Sequence, residues 1–136
     1  MTSPPGEEVP IVSGDDVVRV RQLVRAAAAA AGLSLVDQTK IVTAASELAR
    51  NTYAYGGGGT MRIEQAVDDR GRTGVRIVFH DDGPGIPDVE RALSAGWSSG
   101  TGLGLGLSGA RRLSDEFDLT SEAGKGTTVT VAKWPR

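Results

Sequence analysis

Apolar positions recur at helical spacing in two stretches of this chain and alternate with polar ones in several others, and each change of period marks an element. Asp15 and Asp16 favour a helix start, and Val17, Val20, Val24 and Ala27 or Ala28 follow at intervals of three and four until Gly32 stops the run. The alanine run 26–31 permits close helix packing and needs no further role. Ser34 caps a second predicted helix of about twenty residues, in which Ile41, Ala45, Leu48 and Thr52 form the stripe that faces a core. Gly56 to Gly59 break it. Residues 61–67 and 75–79 alternate and are joined by the polar turn 68–72, which predicts a hairpin; residues 117–120 and 127–131 predict another around 123–126. Between the hairpins a helix is allowed around 88–95, residues 86–101 are mixed in the manner of a lid, and 103–113 can be helical despite its glycines. Near the start, Val9, Pro10 and Ile11 allow a short edge strand after a loose tail over residues 1–7.

The order is strand, two helices, two strands, loop, helix, two strands, with no internal repeat and no second-domain boundary. It predicts one domain over residues 8–136, an α+β two-layer sandwich with helices on one face of a mixed sheet. A chain of 136 residues can bury roughly 65–70% of its unfolded surface and fold without staples. Fifteen basic against seventeen acidic residues give a net charge of −2, which favours neither nucleic acid nor an anionic membrane as a partner. There is no cysteine, hence no disulfide framework and no thiolate metal site. With no apolar run of about 18 residues and no basic cap at the start, the expected location is the cytoplasm. The 19 glycines cluster at 56–59, 83–85, 96–109 and 124–126, between the periodic segments, which marks functional loops and not disorder.

Three segments concentrate the chemistry: Glu47-Leu-Ala-Arg-Asn51, Asp81-Asp-Gly-Pro-Gly85 and Gly102-Leu-Gly-Leu-Gly106. At about 100° per residue Glu47 falls beside the apolar stripe of the second helix and Asn51 lies about 40° from it, so both project from one flank. Gly102, Gly104 and Gly106 let the backbone approach an anion, with amides that can cradle phosphates where a helix follows. The run lacks the Lys-Ser/Thr ending of a P-loop and follows a loop instead of a first strand, so it fits neither a Walker site nor a dinucleotide fingerprint.

In this order the segments resemble the GHKL ATPases: Glu47 to Asn51 their N box, Asp81-x-Gly83-x-Gly85 their first glycine box, Gly102-x-Gly104-x-Gly106 their second, and Gly124 to Thr127 the segment that returns to the adenine pocket. Within the superfamily the chain is most similar to the RsbT-type serine kinases, switch proteins of bacterial stress modules, from about residue 10 to Trp134. Ser46 to Asn51, the stretch from Gly102 to Leu107, Ala110-Arg-Arg-Leu113 and Asp115-Glu-Phe117 carry the likeness; at Ser108 it departs, since proline is expected there. The resemblance implies a Bergerat-type ATP-binding fold with ATP and Mg²⁺ as cofactors. It implies Glu47 as the catalytic residue, Asn51 as the Mg²⁺ ligand, and Asp81, Gly83, Gly85, Gly102, Gly104, Gly106 and Thr127 in the nucleotide site.

Each of these residues has a physical job. Asn51 offers an amide oxygen, a hard ligand suited to an ion that keeps several waters and is shared with phosphates. The Asp81 carboxylate can accept from the adenine 6-amino group, where a guanine oxygen would be repelled, and the resemblance implies that Thr127 supports that contact through water. Glu47 can orient or accept the proton of an incoming hydroxyl. Against these stand plainer readings: Asn51 as a solvated helix residue, Asp81 as a turn residue, Glu47 paired with Arg50 or a lysine, and Arg50 and Lys125 as surface charges. His80, the one histidine, is expected to be structural; Trp97 packs over nucleotide or partner, and Trp134 closes the core or lies on the surface.

The implied activity is that of a protein serine kinase whose acceptor is a STAS-domain antagonist. The alternative is a non-catalytic ATP-dependent switch that binds a sigma factor or a PP2C-type phosphatase. An ATPase of the gyrase, chaperone or mismatch-repair type needs transducer domains and longer lids, and a histidine kinase needs a phosphoacceptor helix, for which these 136 residues leave no room.

Overall fold

The computed structural model describes residues 7–86, 88–93 and 106–136. The first helix begins where Asp16 Oδ2 accepts from the Val12 and Ser13 N–H groups at 2.9 and 3.2 Å, a capping-box contact that fixes the chain's entry angle. This helix, α1 (Gly14–Ala30), buries Val17, Val20, Val24 and Ala28. Ser34 Oγ then accepts from the Asp37 N–H at 3.1 Å and opens α2 (Leu35–Ala54), whose predicted stripe of Ile41, Ala45, Leu48 and Thr52 is buried throughout.

Five strands, β1 (Glu7–Ile11), β2 (Gly59–Val67), β3 (Thr73–Asp81), β4 (Glu116–Glu122) and β5 (Gly126–Lys133), form one sheet in the order β1-β2-β3-β5-β4. The edge strand expected at Val9 to Ile11 is β1, which starts at Glu7, one residue inside the segment expected as a tail. Two short helices, α3 (Val89–Ala92) and α4 (Leu107–Leu113), occupy parts of the helical stretches expected at 88–95 and 103–113. Residues 94–105, and with them Trp97, Gly102, Gly104 and most of the lid-like stretch, lie outside the described residues.

The two-layer arrangement with helices on one face is as expected, but the sheet is antiparallel at all four described pairings and not mixed. Two helices intervene between β1 and β2, and β2 returns antiparallel to β1, with Ile11 beside Gly59. β3 and β4 do run in the same direction, joined by a crossover that includes α4, but β5 lies between them and pairs antiparallel with both.

Met61, Ile63, Ile77, Phe79, Val129 and Val131 alternate onto the sheet face that packs under α1 and α2, and each is buried to 7% exposure or less. On the opposite face Ala66, Ala132 and Trp134 make a smaller cluster, with the Trp134 ring lying over Gly74 and its Nε1 donating to Glu116 Oε2 at 2.8 Å.

At the end of the sheet away from Asp81, an ion cluster ties the layers together. Lys133 is 2% exposed, and its Nζ lies 3.5 Å from Asp115 and 3.8 Å from Asp37 in the first turn of α2. Trp134 N–H and Arg136 also donate to the two oxygens of Asp115, at 2.8 and 2.7 Å. Lys133→Met leaves two largely buried carboxylates facing only the exposed Arg136, and the expected loss is about 3 kcal/mol of unfolding free energy, measured from the urea transition. Burial alone would raise the Asp115 carboxyl, but the Trp134 hydrogen bond and the Lys133 and Arg136 charges outweigh it and hold it below its ordinary value. That stability is present above about pH 4 and is lost as pH falls further, so Asp115→Asn should flatten this part of the acid transition.

Candidate functional site

The second half of α2 runs past two clusters of predicted residues. Asn51 lies about 6 Å further along the helix axis than Glu47, one turn on. It is 6% exposed, and its Oδ1 is buried with no hydrogen-bond partner among the described residues. A buried carbonyl oxygen left unpaired costs about 1–3 kcal/mol, which is why such atoms are found where something else is to be bound. Its hard amide oxygen would suit Mg²⁺, an ion that keeps several of its own waters. Among the described residues no group of three or more His, Cys, Asp or Glu side chains could hold a metal by itself.

Glu47 is half-buried, and its Oε1 is 2.8 Å from Arg50 Nη1, so the plain ion pair weighed from the sequence is present. The other side of Glu47 abuts Gly106. A Cβ at Gly106 would stand 2.8 Å from both Glu47 Cβ and Oε2, and the φ of +68° there is a conformation that L side chains rarely adopt. Gly106 is also the residue from which α4 starts, so the one described glycine of the third segment is seated directly on the predicted catalytic carboxylate. Ser108, where proline was expected, is the second residue of α4.

Asp81 closes β3 and is 3% exposed. Its Oδ1 accepts from the Gly83 N–H at 2.9 Å, and a side chain at Gly56, just past the end of α2, would overlap the carboxyl group. Burial is the largest influence on this carboxyl and raises it above its ordinary range; hydrogen bonds from the Gly83 and Thr127 backbone and the nearby His80 oppose the rise without cancelling it. Thr127 sits beside Asp81 in the β3–β5 register, 4% exposed, with its hydroxyl 2.9 Å from Ser121 Oγ. Gly85 is tied in by its carbonyl, which accepts from Tyr55 Oη at 3.1 Å. Asp81, Gly83, Gly85 and Thr127 thus meet at one end of the sheet, and Glu47, Asn51 and Gly106 lie along the neighbouring turns of α2. Gly102 and Gly104 are outside the described residues.

His80 points to the open face, within 2.8 Å of Thr128 Oγ1 and 3.0 Å of Asp82 Oδ1. Lys125 pairs with Glu122 at 3.6 Å on the surface. Tyr55 and Ser121 were missed in the sequence. Ser121 Oγ accepts from the Ile86 N–H at 2.7 Å and donates to the Gly126 carbonyl at 3.0 Å, stitching the glycine turn to β4. Nothing in an alternating strand distinguishes such a serine.

A raised Asp81 carboxyl contributes stability that is fully present below about pH 4 and is lost as pH rises through its folded value. Asp81→Asn keeps the shape without the charge, so the nucleotide-free variant is expected to melt above the wild type at pH 7, with the gap closing toward pH 4. Calorimetry across that range checks it, and a lower melting point at pH 7 would contradict the assignment.

Residues 36–136 match the family described as histidine kinase-, DNA gyrase B- and HSP90-like ATPases. The serine/threonine-protein kinase RsbT of Bacillus subtilis is 50% identical over 128 residues, covering 94% of this chain and 96% of that relative. An anti-sigma F factor of Geobacillus stearothermophilus is 31% identical over 104 residues, 71% of this chain and 69% of the relative. In three dimensions the RsbU and RsbW domains of a Mycobacterium tuberculosis protein superpose with a TM-score of 0.62 at 22% identity, over 96% of this chain and 33% of that one, a likeness of fold. With the helices on one face of its sheet and with matched residues spanning α2 to β5, the chain belongs to the histidine kinase-, DNA gyrase B- and HSP90-like ATPase family, the GHKL superfamily with its nucleotide-binding fold, and is related there to the RsbT-like kinases.

Proposed function

We propose that this protein is an ATP-dependent protein serine kinase and switch protein that transfers the γ-phosphate to a serine of a small STAS-domain antagonist and so regulates a stress-response or sigma-factor pathway. The observation that carries this reading is the pairing on α2 of a half-buried carboxylate, Glu47, with a buried amide oxygen, that of Asn51, which has no described partner. In this reading Asn51 holds Mg²⁺ and Glu47 accepts the acceptor's hydroxyl proton. Asp81 receives the adenine amino group with Thr127 in support, Gly83 and Gly85 form the turn under the base, and the amides of Gly102, Gly104 and Gly106 meet the phosphates. Most of the rate enhancement comes from positioning and charge neutralisation. The 50% identity to a protein named as a serine/threonine kinase supports the transfer reaction.

A second reading is favoured by the 31% identity to anti-sigma F factors: a module whose output is ATP-dependent binding of a sigma factor or a PP2C-type phosphatase. Incubating the purified protein with Mg-ATP labelled at the γ-phosphate and the STAS proteins encoded beside it separates the two. Label on a serine of one of them is expected; ATP binding with no label on any supports the second reading. Glu47→Gln should lower the transfer rate by about a hundredfold or more while ATP affinity stays within a few fold. Asn51→Ala should weaken ATP binding in the presence of Mg²⁺ and leave metal-free binding nearly unchanged, and equal losses in both titrations would sink its role. Asp81→Asn should weaken ATP binding by about 1.5–3 kcal/mol, the scale of a hydrogen bond to a charged group.

A further inference from the structure

Arg50 belongs to two settings at once. Its Nη1 donates to Glu47 Oε1 at 2.8 Å and its Nη2 to Ser46 Oγ at 3.4 Å. The same side chain lines an open groove of about 320 Å³ between α1 and α2, which it shares with Arg21, Arg25, Thr43 and Glu47. Among the described residues neither Arg21 nor Arg25 has an ion-pair partner, and the two stand four residues apart on one face of α1, a like-charge spacing that disfavours the helix. Three guanidinium groups around one groove, in a chain whose net charge is −2, make a local site for carboxylates with Glu47 among its lining residues.

We propose that Arg50 is a specificity-determining residue that acts through Glu47, an inference that rests on the reading of Glu47 as proton acceptor. With the groove empty, Arg50 holds the Glu47 carboxylate and keeps it from serving water. When an acidic side chain of the acceptor protein enters the groove, it takes over the guanidinium and frees Glu47. The exchange is easy because a half-exposed pair of this kind is weak, whereas the incoming carboxylate also gains Arg21 and Arg25. In the step so released, the serine oxygen bonds to the γ-phosphorus as its bond to the ADP oxygen breaks, ADP leaves with that electron pair, and the hydroxyl proton passes to Glu47. With water in place of serine the same step yields inorganic phosphate, so the latch suppresses idle hydrolysis.

The test uses the full chain with Mg-ATP and water as the acceptor, following phosphate release. Arg50→Gln should hydrolyse ATP about three- to tenfold faster than the wild type at equal ATP affinity, since a general base has been freed. Arg50→Lys should return close to the wild-type rate, and Glu47→Gln combined with Arg50→Gln should lack the gain. An Arg50→Gln protein that binds ATP but hydrolyses it no faster overturns the latch, whereas a rate gain that survives Glu47→Gln overturns the role of Glu47 and with it the kinase reading. A hexaglutamate peptide should speed wild-type hydrolysis toward the Arg50→Gln rate and leave an Arg21→Gln, Arg25→Gln protein unmoved. No stimulation of the wild type by the peptide overturns the acidic acceptor.

Discussion

Backbone meets side chain without any room to spare where Gly56, Asp81 and Gly83 come together, and the geometry of the site depends on that junction. A side chain at Gly56 would overlap the Asp81 carboxyl, and one at Gly83 would overlap the Gly56 backbone, so the end of α2 can lie against the end of β3 only with both positions bare. The junction seats Asp81 at 3% exposure and fixes the C-terminal end of α2 over the sheet. Its N-terminal end is fixed independently by Asp37 in the Lys133 cluster. Glu47 and Asn51 lie between these two anchors, on a rigid element held at both ends, which is what precise placement of a reacting group requires.

The described groups with unmet demands are concentrated on the same side of the molecule. Asn51 Oδ1 has no partner, and Asp81 is buried at the expense of its charged form. Other buried polar groups are satisfied: the Ser121 and Thr127 hydroxyls bond each other beside Asp81, Thr52 Oγ1 donates to the Leu48 carbonyl at 3.0 Å, and at the far end of the sheet the buried Lys133 faces two carboxylates. Where polar groups are left underserved in one part of the described structure, the usual reason is that a ligand completes them.

Much of this was legible in the sequence because the relevant signals are local. Ser34 caps α2 through its own hydroxyl, the stripe of Ile41, Ala45, Leu48 and Thr52 is buried as its spacing requires, and the 68–72 turn closes the β2–β3 hairpin in register from Gly59 with Asp81 to Val67 with Thr73. What the sequence did not disclose is long-range. Strand direction within the sheet depends on β5 entering between β3 and β4, a choice made by tertiary packing and not by the period of either strand. Lys133 alternates onto the buried face like the valines before it, and only the fold reveals that Asp37 and Asp115, 96 and 18 positions earlier in the chain, arrive there to meet its charge. Gly56 was read as a helix breaker; its contact with Asp81 joins residues 25 positions apart. Whether Arg50 pairs with Glu47 is likewise a matter of rotamer, which spacing permits but does not fix.

The position of β5 has a consequence for how the molecule comes into being on the ribosome. This strand follows β4 in the chain yet sits between it and β3, paired with both along residues 127–132. Until that segment has emerged, β3 presents an unpaired edge and β4 has no neighbour, while Val129 and Val131 are missing from the apolar layer beneath the helices. The earlier helices and hairpin can form locally, but closure of the sheet is a late, non-local event, the kind that is slow and leaves strand edges open to other chains in the meantime. Thr127 arrives with the same strand. The cluster around Asp81 is therefore completed by the step that seals the sheet.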